Sequence, residues 1–441
     1  MTPARVVATL ALAAVGATAT PRTASADVIR VRPGEDLQEA LEGAPAGGTI
    51  ELSAGRHRGP VRVSHRLTIR GVEGALLEGN GQGSVLTLEG NGVRVERLRV
   101  ARSGHDLSDD DAGVLVLGDD VHVEGVRVQR ALHGIYVRGG KRARILDNEI
   151  VGLAATGDAP RPPEADAPRD DGIHHNPRRT RALMGNGIHL WNTDGSVVAR
   201  NHVHHARDGI YVAHSNQASF LDNRVHHSRY GIHYMYSHHN ELRGNELWRN
   251  VAGAALMFSR DLEVTGNVLR DHGGFRAYGL LLQDVDGSTF RANHILANRV
   301  GMRLQNTNAN TFVDNRVFAN ITGMRMGSAS RDNTFTRNHI AANLHPVELT
   351  GPVPPTRWSV DGVGNYWDGA VPLDLTGDGI SEWPHHEVDL LAEKRETFPP
   401  LQLLAGSAGI RWLQWAVRRA PVPGMRYITD PDPLTVRWGD D

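Results

Sequence analysis

The sequence predicts an all-β fold, a right-handed parallel β-helix with coils of about 22 residues. A glycine recurs every 22 residues between positions 187 and 323, apart from one interval of 26, and an asparagine follows most of these glycines by fourteen residues. Short runs with apolar residues at alternate positions, bounded by Gly, Asp or Asn, are typical of strands. The handedness follows the general rule for parallel crossovers. The recurring glycines are Gly187, Gly209, Gly231, Gly253, Gly279, Gly301 and Gly323.

The repeat also predicts which side chains form the core. A coil of this length holds three short strands with turns between them, and residues one coil apart form columns because stacked strands lie about 4.8 Å apart. Two apolar columns, which begin at Ile188 and Leu190 and end at Met324 and Met326, are expected to point inward. Met302 belongs to the first of these columns and is assigned to the core.

The asparagine column is expected to form an internal ladder at one turn. Each side-chain amide would bond to the next, and the asparagine itself would adopt the left-handed backbone conformation that the turn needs. The members of this column are Asn201, Asn223, Asn245, Asn267, Asn293, Asn315 and Asn338.

Composition limits the possible functions. The 441 residues include 49 glycines, which fit an architecture of short strands and tight turns, and the formal net charge of -2 does not favour nucleic acid or an anionic membrane surface as a partner. The absence of cysteine excludes disulfides and thiolate metal sites. The 23 histidines are concentrated between residues 174 and 239, which makes metal chemistry a candidate.

The N-terminal regions have separate roles. Residues 1–26 are predicted to be a secretory signal, because Arg5 precedes a short apolar stretch and Ala24-Ser25-Ala26 forms a small-x-small cleavage pattern. Cleavage after about Ala26 would place the mature chain in the periplasm. Residues 27–59 are predicted to be a cap, with a helix over 36–44, because a solenoid must cover the open end of its core.

The predicted solenoid spans residues 60–362 and contains a proline-rich insertion at 153–181. Such an insertion is either tolerated decoration or a binding loop, and the residues do not favour one over the other. Closing turns are predicted over 363–402. Within them Asp374, Thr376 and Asp378, followed by Gly379, resemble part of a calcium loop without completing it, and a hydrogen-bonded turn is the favoured alternative.

Residues 403–441 are predicted to form an amphipathic helix and an extended tail that dock on a membrane partner. The helix spans 410–419, and prolines follow it. Its apolar side chains could pack on the cap, or dock on a membrane surface or a membrane protein. The candidate docking residues are Ile410, Trp412, Leu413, Trp415 and Val417.

One pair of coils differs from the others on its outward columns. Strand side chains alternate, so His233 and Met235 should point outward, with Met257 beside Met235 on the next coil. Thioether sulfur and imidazole nitrogen suit Cu(I), whereas calcium and magnesium prefer oxygen ligands. These three residues are therefore candidate copper ligands, and His238 and His239, at the turn that follows, are secondary candidates.

A protein contact is the alternative explanation of the same column. Exposed apolar side chains more often mark an interface than a metal site, and the two explanations are compatible if copper passes across that interface. An enzyme is the second alternative. Glycoside hydrolysis needs paired carboxylates, and the acidic residues at 106–111 and 170–171 are the candidates for that role. Acidic runs in loops are usually only solvated, so no catalytic residue is assigned and a non-enzymatic role is favoured.

The sequence resembles the NosD family of periplasmic maturation proteins of nitrous oxide reductase over nearly the whole mature chain. The most specific part of the resemblance is the stretch Tyr230 to Tyr236, Tyr-Gly-Ile-His-Tyr-Met-Tyr. Other matching pieces are residues 185–191, 208–211, Leu256-Met257, 364–368 and the tail 430–434.

The resemblance implies a role in supplying copper to the reductase. It implies a non-enzymatic component of an ABC-type complex with an ATPase and a membrane subunit, which works with a copper-chaperone lipoprotein. It also favours docking of residues 403–434 on the membrane subunit. A β-helix polysaccharide lyase, hydrolase or uronate epimerase remains the alternative, because those enzymes share the solenoid repeat.

Overall fold

The computed structural model describes residues 28–156, 184–274, 277–388, 407–420 and 427–436, together with positions 390, 398, 400, 401, 404 and 422. The predicted signal at 1–26 lies outside the described residues, as does most of the insertion. Three parallel sheets dominate the described part of the chain, and each strand pairs with its equivalents one coil before and one coil after. The predicted parallel β-helix is therefore confirmed.

The sheets contain 14, 13 and 12 strands among the described residues and are named sheet A, sheet B and sheet C. Sheet A consists of Val28–Val31, Thr49–Leu52, Thr68–Gly71, Arg94–Glu96, His122–Glu124, Arg144–Leu146, Val197–Ala199, Ser219–Leu221, Glu241–Arg243, Glu263–Thr265, Thr289–Arg291, Thr311–Val313, Asn333–Thr336 and Thr356–Arg357. Sheet B consists of Gly55–Arg58, Ala75–Glu78, Arg99–Ala101, Arg127–Gln129, Glu149–Val151, His202–His204, Arg224–His226, Glu246–Trp248, Val268–Arg270, His294–Leu296, Arg316–Phe318, His339–Ala341 and Tyr366–Trp367. Sheet C consists of Val61–Val63, Leu86–Leu88, Ala112–Val116, His133–Arg138, Ile188–Trp191, Asp208–Ala213, Tyr230–Met235, Ala252–Arg260, Tyr278–Asp286, Val300–Gln305, Thr322–Gly327 and His345–Thr350.

Both predicted inward columns lie in the core. Ile232 and Tyr234 pair with Ala254 and Leu256 of the next coil, and all four side chains are buried. Met302, Met324 and Met326 are also buried, as the repeat predicts.

The repeating glycine is explained by close approach between coils. A Cβ atom at Gly231 would lie 2.6 Å from the carbonyl oxygen of Gly253, and one at Gly209 would lie 2.7 Å from that of Gly231. Only a residue without a side chain lets the strands of sheet C begin this close together.

The predicted asparagine ladder is present, and its bonds repeat from coil to coil. Asn245 accepts from the backbone and side-chain amides of Asn223 at 3.0 Å, and its own side-chain amide donates to Phe220 O at 2.8 Å and to Asn267 Oδ1 at 2.9 Å. The ladder extends one coil further than expected at each end, to Asn148 and Asn365.

The prediction that the ladder asparagines are left-handed is wrong. The left-handed residue is the one before each of them, such as Arg200 with φ 54° and Asp222 with φ 52°. Two neighbouring residues of the turn therefore have different roles. The first adopts the left-handed conformation that reverses the chain, and the second points its side-chain amide along the coil axis and satisfies buried backbone groups.

The N-terminal end is covered by the helix Leu37–Gly43, which buries Leu37 and Leu41. Asp36 caps this helix by accepting from the backbone amide of Glu39 at 3.1 Å. The strands of this region are already the terminal strands of sheets A and B.

The C-terminal end is closed by a short antiparallel pair, His385–Glu387 with Ile428–Asp430. Asp430 is completely buried, and one of its carboxylate oxygens accepts from Asn365 N at 2.8 Å and from Trp367 Nε1 at 2.8 Å. The carboxylate thus satisfies the last rung of the ladder. This part of the predicted docking tail is therefore held by the chain's own solenoid, and docking of the tail on a partner stays a prediction.

The insertion lies within a single coil. Ile135 pairs with Ile188 although 53 residues separate them, so sheet C continues across the insertion without interruption. The short helix Leu153–Thr156 begins it, directly after a strand of sheet B. Residues 157–183 are outside the described part of the chain.

We expect Asn245→Ala to lower the free energy of unfolding by at least about 2 kcal/mol, because it leaves buried amide and carbonyl groups of two neighbouring coils without partners. Urea unfolding followed by circular dichroism measures this change. Asn192→Gly, at an exposed left-handed position, is the control and should shift stability by less than about 0.5 kcal/mol. Equal stability of the two variants would contradict the role of the ladder.

Candidate functional site

The predicted copper ligands lie together on the outer face of sheet C. Met235 pairs directly with Met257, and His233 pairs with Ala255. His233 and both methionines are partly buried. The register that the repeat predicts is therefore present, and it brings two thioethers and one imidazole onto one face of adjacent coils.

Outward-pointing positions on this face are not all exposed to solvent. Ala213 and Ala255 are buried because their methyl groups lie below the longer side chains of neighbouring coils. His189 is buried as well, in a continuous column of rings. It stacks on Tyr136 with centroids 4.2 Å apart and meets the edge of Tyr211 at 4.7 Å.

A buried ionic group holds His233 in place. The Nδ1 atom of His233 lies 2.9 Å from Oδ2 of Asp208, and Arg229 donates to the same carboxylate through Nε at 2.8 Å and a terminal nitrogen at 2.6 Å. Asp208 comes from the preceding strand of sheet C, one coil away, and its side chain is only 1% exposed. The guanidinium of Arg229 also lies 4.8 Å from the ring centroid of Tyr230.

The electrostatics keep Asp208 ionised. Burial alone would raise the pKa of this carboxyl, but the hydrogen bonds and charges of His233 and Arg229 outweigh it and lower the pKa to about 2. An ionised Asp208 accepts the Nδ1 proton of His233, which leaves the Nε2 lone pair of that imidazole for a ligand.

The methionines are bordered by polar and aromatic groups. The hydroxyl of Tyr211 lies 3.9 Å from Sδ of Met235. A stacked surface ladder begins one residue further along each coil. In this aromatic ladder Tyr236 stacks on His214 at 5.3 Å and on Phe258 at 4.8 Å, and Trp191 meets His214 edge-on.

The secondary candidates His238 and His239 lie at the turn after the Met235 strand. Nδ1 of His238 is 3.3 Å from the backbone amide of Arg260, and Nδ1 of His239 is 3.5 Å from Asp261 Oδ2. Their contacts are therefore with the turn of the next coil. Their assignment as copper ligands stays a prediction.

The C-terminal helix is Ala408–Arg419, close to its predicted position, but its faces are arranged differently. Val417 and Gln414 are buried against the chain itself, which corrects Val417 as a docking residue. Arg418 donates to Glu387 at 2.5 Å and fixes the helix on the closing strand. Trp412 is 67% exposed and Trp415 51%, and Leu413 is exposed too, while Ile410 is half-buried.

The predicted partial calcium loop forms a hydrogen-bonded turn. The two carboxylate oxygens of Asp374 accept from Gly377 N at 2.6 Å and Gly379 N at 2.9 Å, and these backbone bonds lower the pKa of the carboxyl. This is the alternative that the sequence favours. Calcium binding there stays a prediction.

The sequence did not single out Asp208, Arg229 or Tyr211. Asp208 lies 25 residues before His233, about one coil away in the chain, so local spacing does not reveal their contact, whereas Arg229 lies only four residues before His233. The available signal is an acidic residue placed directly before a repeat glycine, where a buried carboxylate requires a nearby cation.

Fold and site together define a parallel β-helix protein that carries imidazole and thioether donors on one outer sheet face. The chain belongs to the NosD family. It is 31% identical over 416 residues to a Pseudomonas aeruginosa protein named "Probable ABC transporter binding protein NosD", covering 90% of this chain and 91% of the relative. A Stutzerimonas stutzeri protein of the same name is 30% identical, covering 87% of this chain and 86% of the relative.

The family model described as "Periplasmic copper-binding protein (NosD)" matches residues 169–371, a range that contains His233, Met235 and Met257. Among solved structures, a Yersinia enterocolitica family 28 exopolygalacturonase superposes with a TM-score of 0.52 at 12% identity, covering 76% of this chain and 79% of that one. The likeness at this identity concerns the fold alone. In the described residues, none of the helices has the length and apolar character to cross a membrane.

We expect the stability difference between the wild type and Asp208→Asn to shrink as the pH falls from about 4 to about 2, a pH-dependent part on the order of 2 kcal/mol. The folded pKa of Asp208 is about 2, below the usual 3.8, so this stability is present above pH 4 and is lost as the carboxyl is protonated. Urea unfolding at several pH values measures it.

Asp222→Asn, at an exposed turn, is the matched control and should follow the wild type throughout. A constant stability gap between the wild type and Asp208→Asn across this pH range would show that the Asp208 carboxylate does not stabilise the fold through its charge.

Proposed function

We propose that this chain is a periplasmic, non-enzymatic accessory protein that binds Cu(I) transiently at His233, Met235 and Met257 for maturation of nitrous oxide reductase. In this proposal a copper-chaperone lipoprotein delivers the ion, and an ABC-type ATPase with its membrane subunit completes the assembly. Membership of a family described as periplasmic and copper-binding supports the copper cargo and the location. The names of the relatives support association with an ABC transporter.

The observation that carries the proposal is the hydrogen bond between Asp208 and His233. A carboxylate that accepts from one imidazole nitrogen fixes the tautomer and the ring orientation, and this arrangement recurs behind metal-binding histidines. Here the carboxylate is buried, ionised and anchored by Arg229 from the same coil as His233. Such a costly buried group is well explained if His233 must present Nε2 in a fixed direction.

The two methionines supply the soft donors. Met235 and Met257 are paired across adjacent strands and only partly buried, so an incoming ion reaches them from outside. Sulfur ligands select Cu(I) over the hard cations of the periplasm. A site of one imidazole and two neutral thioethers carries no compensating negative charge of its own, which suits transient binding of a cargo ion.

The aromatic ladder of Trp191, His214, Tyr236 and Phe258 supports delivery by a protein partner. His214, Tyr236 and Phe258 lie one residue beyond the methionine column, and Trp191 lies in that column two coils before Met235. Trp191 and Tyr236 are exposed. Aromatic side chains with an apolar body are typical of interface centres. A chaperone docked on this ladder would transfer copper directly to the methionines without releasing it to solvent.

The exposed tryptophans of the C-terminal helix support docking on the membrane subunit. The solenoid holds this helix by Val417 and Arg418, which leaves Trp412 and Trp415 facing outward beside Leu413. A fixed helix with two outward tryptophans presents a preformed contact surface.

A polysaccharide-active enzyme is the less supported alternative, because its only support is the shared fold. The buried Asp208 is paired with Arg229 and is not available as a nucleophile or acid at neutral pH. Depolymerisation of a uronate polymer by the purified chain, lost on removal of an acidic side chain, would overturn the non-enzymatic proposal.

We expect Met235→Leu/Met257→Leu to weaken Cu(I) affinity by at least about tenfold, because leucine keeps the apolar volume and removes both sulfur donors. Competition with a Cu(I) chelator measures the affinity. Met302→Leu/Met324→Leu changes two core methionines and is the matched control, which should bind as the wild type does. Unchanged affinity in the first variant would remove the ligand assignment.

We expect Trp412→Ala/Trp415→Ala to abolish retention of the chain on membranes that contain the ABC-type membrane subunit and its ATPase, since these side chains would form the centre of the contact. Co-sedimentation measures retention, and Trp383→Ala, at another exposed tryptophan, is the control. Full retention of the double variant would contradict docking through this helix.

A further inference from the structure

A second group of metal-ligating side chains lies on sheet B, on the two coils that carry Asp208 and His233 in sheet C. The sequence from His202 to Ala213 runs from a sheet B strand to a sheet C strand, and the stretch from Arg224 to Met235 repeats this path in the next coil. The face that carries His233 and Met235 is thus separate from the face that carries these side chains. The histidine cluster consists of His202, His204, His205, His226 and His227, with Glu149 beside it.

The rings of the histidine cluster converge within and between coils. His204 stacks on His226 at 5.0 Å and 2°, and His205 stacks on His227 at 4.8 Å and 1°. The shortest nitrogen contacts are 2.6 Å between Nδ1 of His226 and His227, 2.8 Å between Nδ1 of His204 and His205, and 2.9 Å between Nε2 of His202 and His226. Each contact holds at most one hydrogen, so lone pairs point into the cluster.

The fold does not require histidine at these positions. His205 and His227 occupy the left-handed turn after the sheet B strand, where other coils place Arg130, Arg249, Asp271 or Ala297. The backbone conformation at this position therefore accepts several kinds of side chain, and two successive coils carry a histidine there. Their coincidence with histidines on the adjacent strand positions indicates selection for nitrogen donors.

We propose that His205, His226 and His227 bind one divalent transition-metal ion of the zinc or copper(II) class, with Glu149, His202 and His204 as a neighbouring ligand group. Within each of these two triads the ligand atoms lie within 4.8 Å of one another. Tetrahedral coordination at metal–nitrogen distances of 2.0–2.1 Å places nitrogens about 3.4 Å apart. Small side-chain rotations separate the rings enough to admit an ion.

The donor set decides the class of ion. Imidazole with one carboxylate suits borderline divalent ions, whereas hard cations prefer oxygen alone and Cu(I) prefers sulfur. The ion is distinct from the proposed Cu(I) cargo, whose ligands include two thioethers on sheet C.

The histidine cluster is open to solvent on one side. His202 and His226 line a surface groove of about 600 Å³ that also contacts Trp248. The arginines at its rim are neutralised, since Arg200 pairs with Asp147 at 2.5 Å and Arg224 lies 4.0 Å from Glu246. An ion therefore has a route to the cluster without crossing a row of unpaired positive charges.

Titration of the untagged purified chain with zinc and, separately, with copper(II) tests the proposal. The variant His205→Asn/His227→Asn removes two ligands and keeps a residue that tolerates the left-handed turn. We expect at least one of the two ions to bind saturably to the wild type, and its affinity to fall at least about tenfold in the variant, since loss of outer-shell partners alone costs 10–100-fold. His294→Asn, at an exposed position on the same sheet, is the control and should bind as the wild type does.

Cobalt(II) provides a second readout, because nitrogen coordination gives a visible absorption that the variant should lose. If the double variant does not fold, His226→Gln replaces it. Wild-type affinity in the folded variant, or no saturable binding of either ion to the wild type, overturns the proposal. The variant Met235→Leu/Met257→Leu should bind the same divalent ion as the wild type does, so failure of the proposed Cu(I) site would leave this result unaffected.

Discussion

The structure depends on one interaction, in which the buried amides of each turn donate hydrogen bonds to an asparagine side chain of the next coil. A solenoid turn buries backbone amides and carbonyls that no sheet partner satisfies, and an uninterrupted ladder of side-chain amides satisfies them. The ladder ends where Asp430 supplies the last acceptor. Because every rung needs a partner directly above, the register cannot slip, and the columns of side chains outside the coils are set by the same constraint.

This fixed register is what makes the outer surface chemically useful. Residues one coil apart lie side by side, so Met235 and Met257 become neighbours without any contribution from a loop. Rigid sheet positions hold donors more precisely than loops do. This chain places thioethers, imidazoles and exposed aromatic rings on its outer faces.

The buried Asp208 is the clearest departure from the regular pattern. A buried carboxylate costs stability unless charges and hydrogen bonds compensate it, and here Arg229 pairs with Asp208 while His233 donates a hydrogen bond to it. The charged Asp208 carboxylate therefore holds His233 in position, and apolar packing around it would not by itself stabilise that charge. The histidine cluster on sheet B shows a second use of the same coils, with a different donor set on a different face.

The sequence by itself determined the coil length, the inward columns, the ladder and the pairing of Met235 with Met257, because periodicity converts directly into position in a solenoid. Only the tertiary structure decided which outward residues are covered, that Asp208 reaches His233, and that Val417 faces the chain's own end. Those outcomes depend on side-chain length and direction between coils, which spacing does not encode. The convergence of five histidines on sheet B was hidden for the same reason, since their contacts cross from one coil to the next.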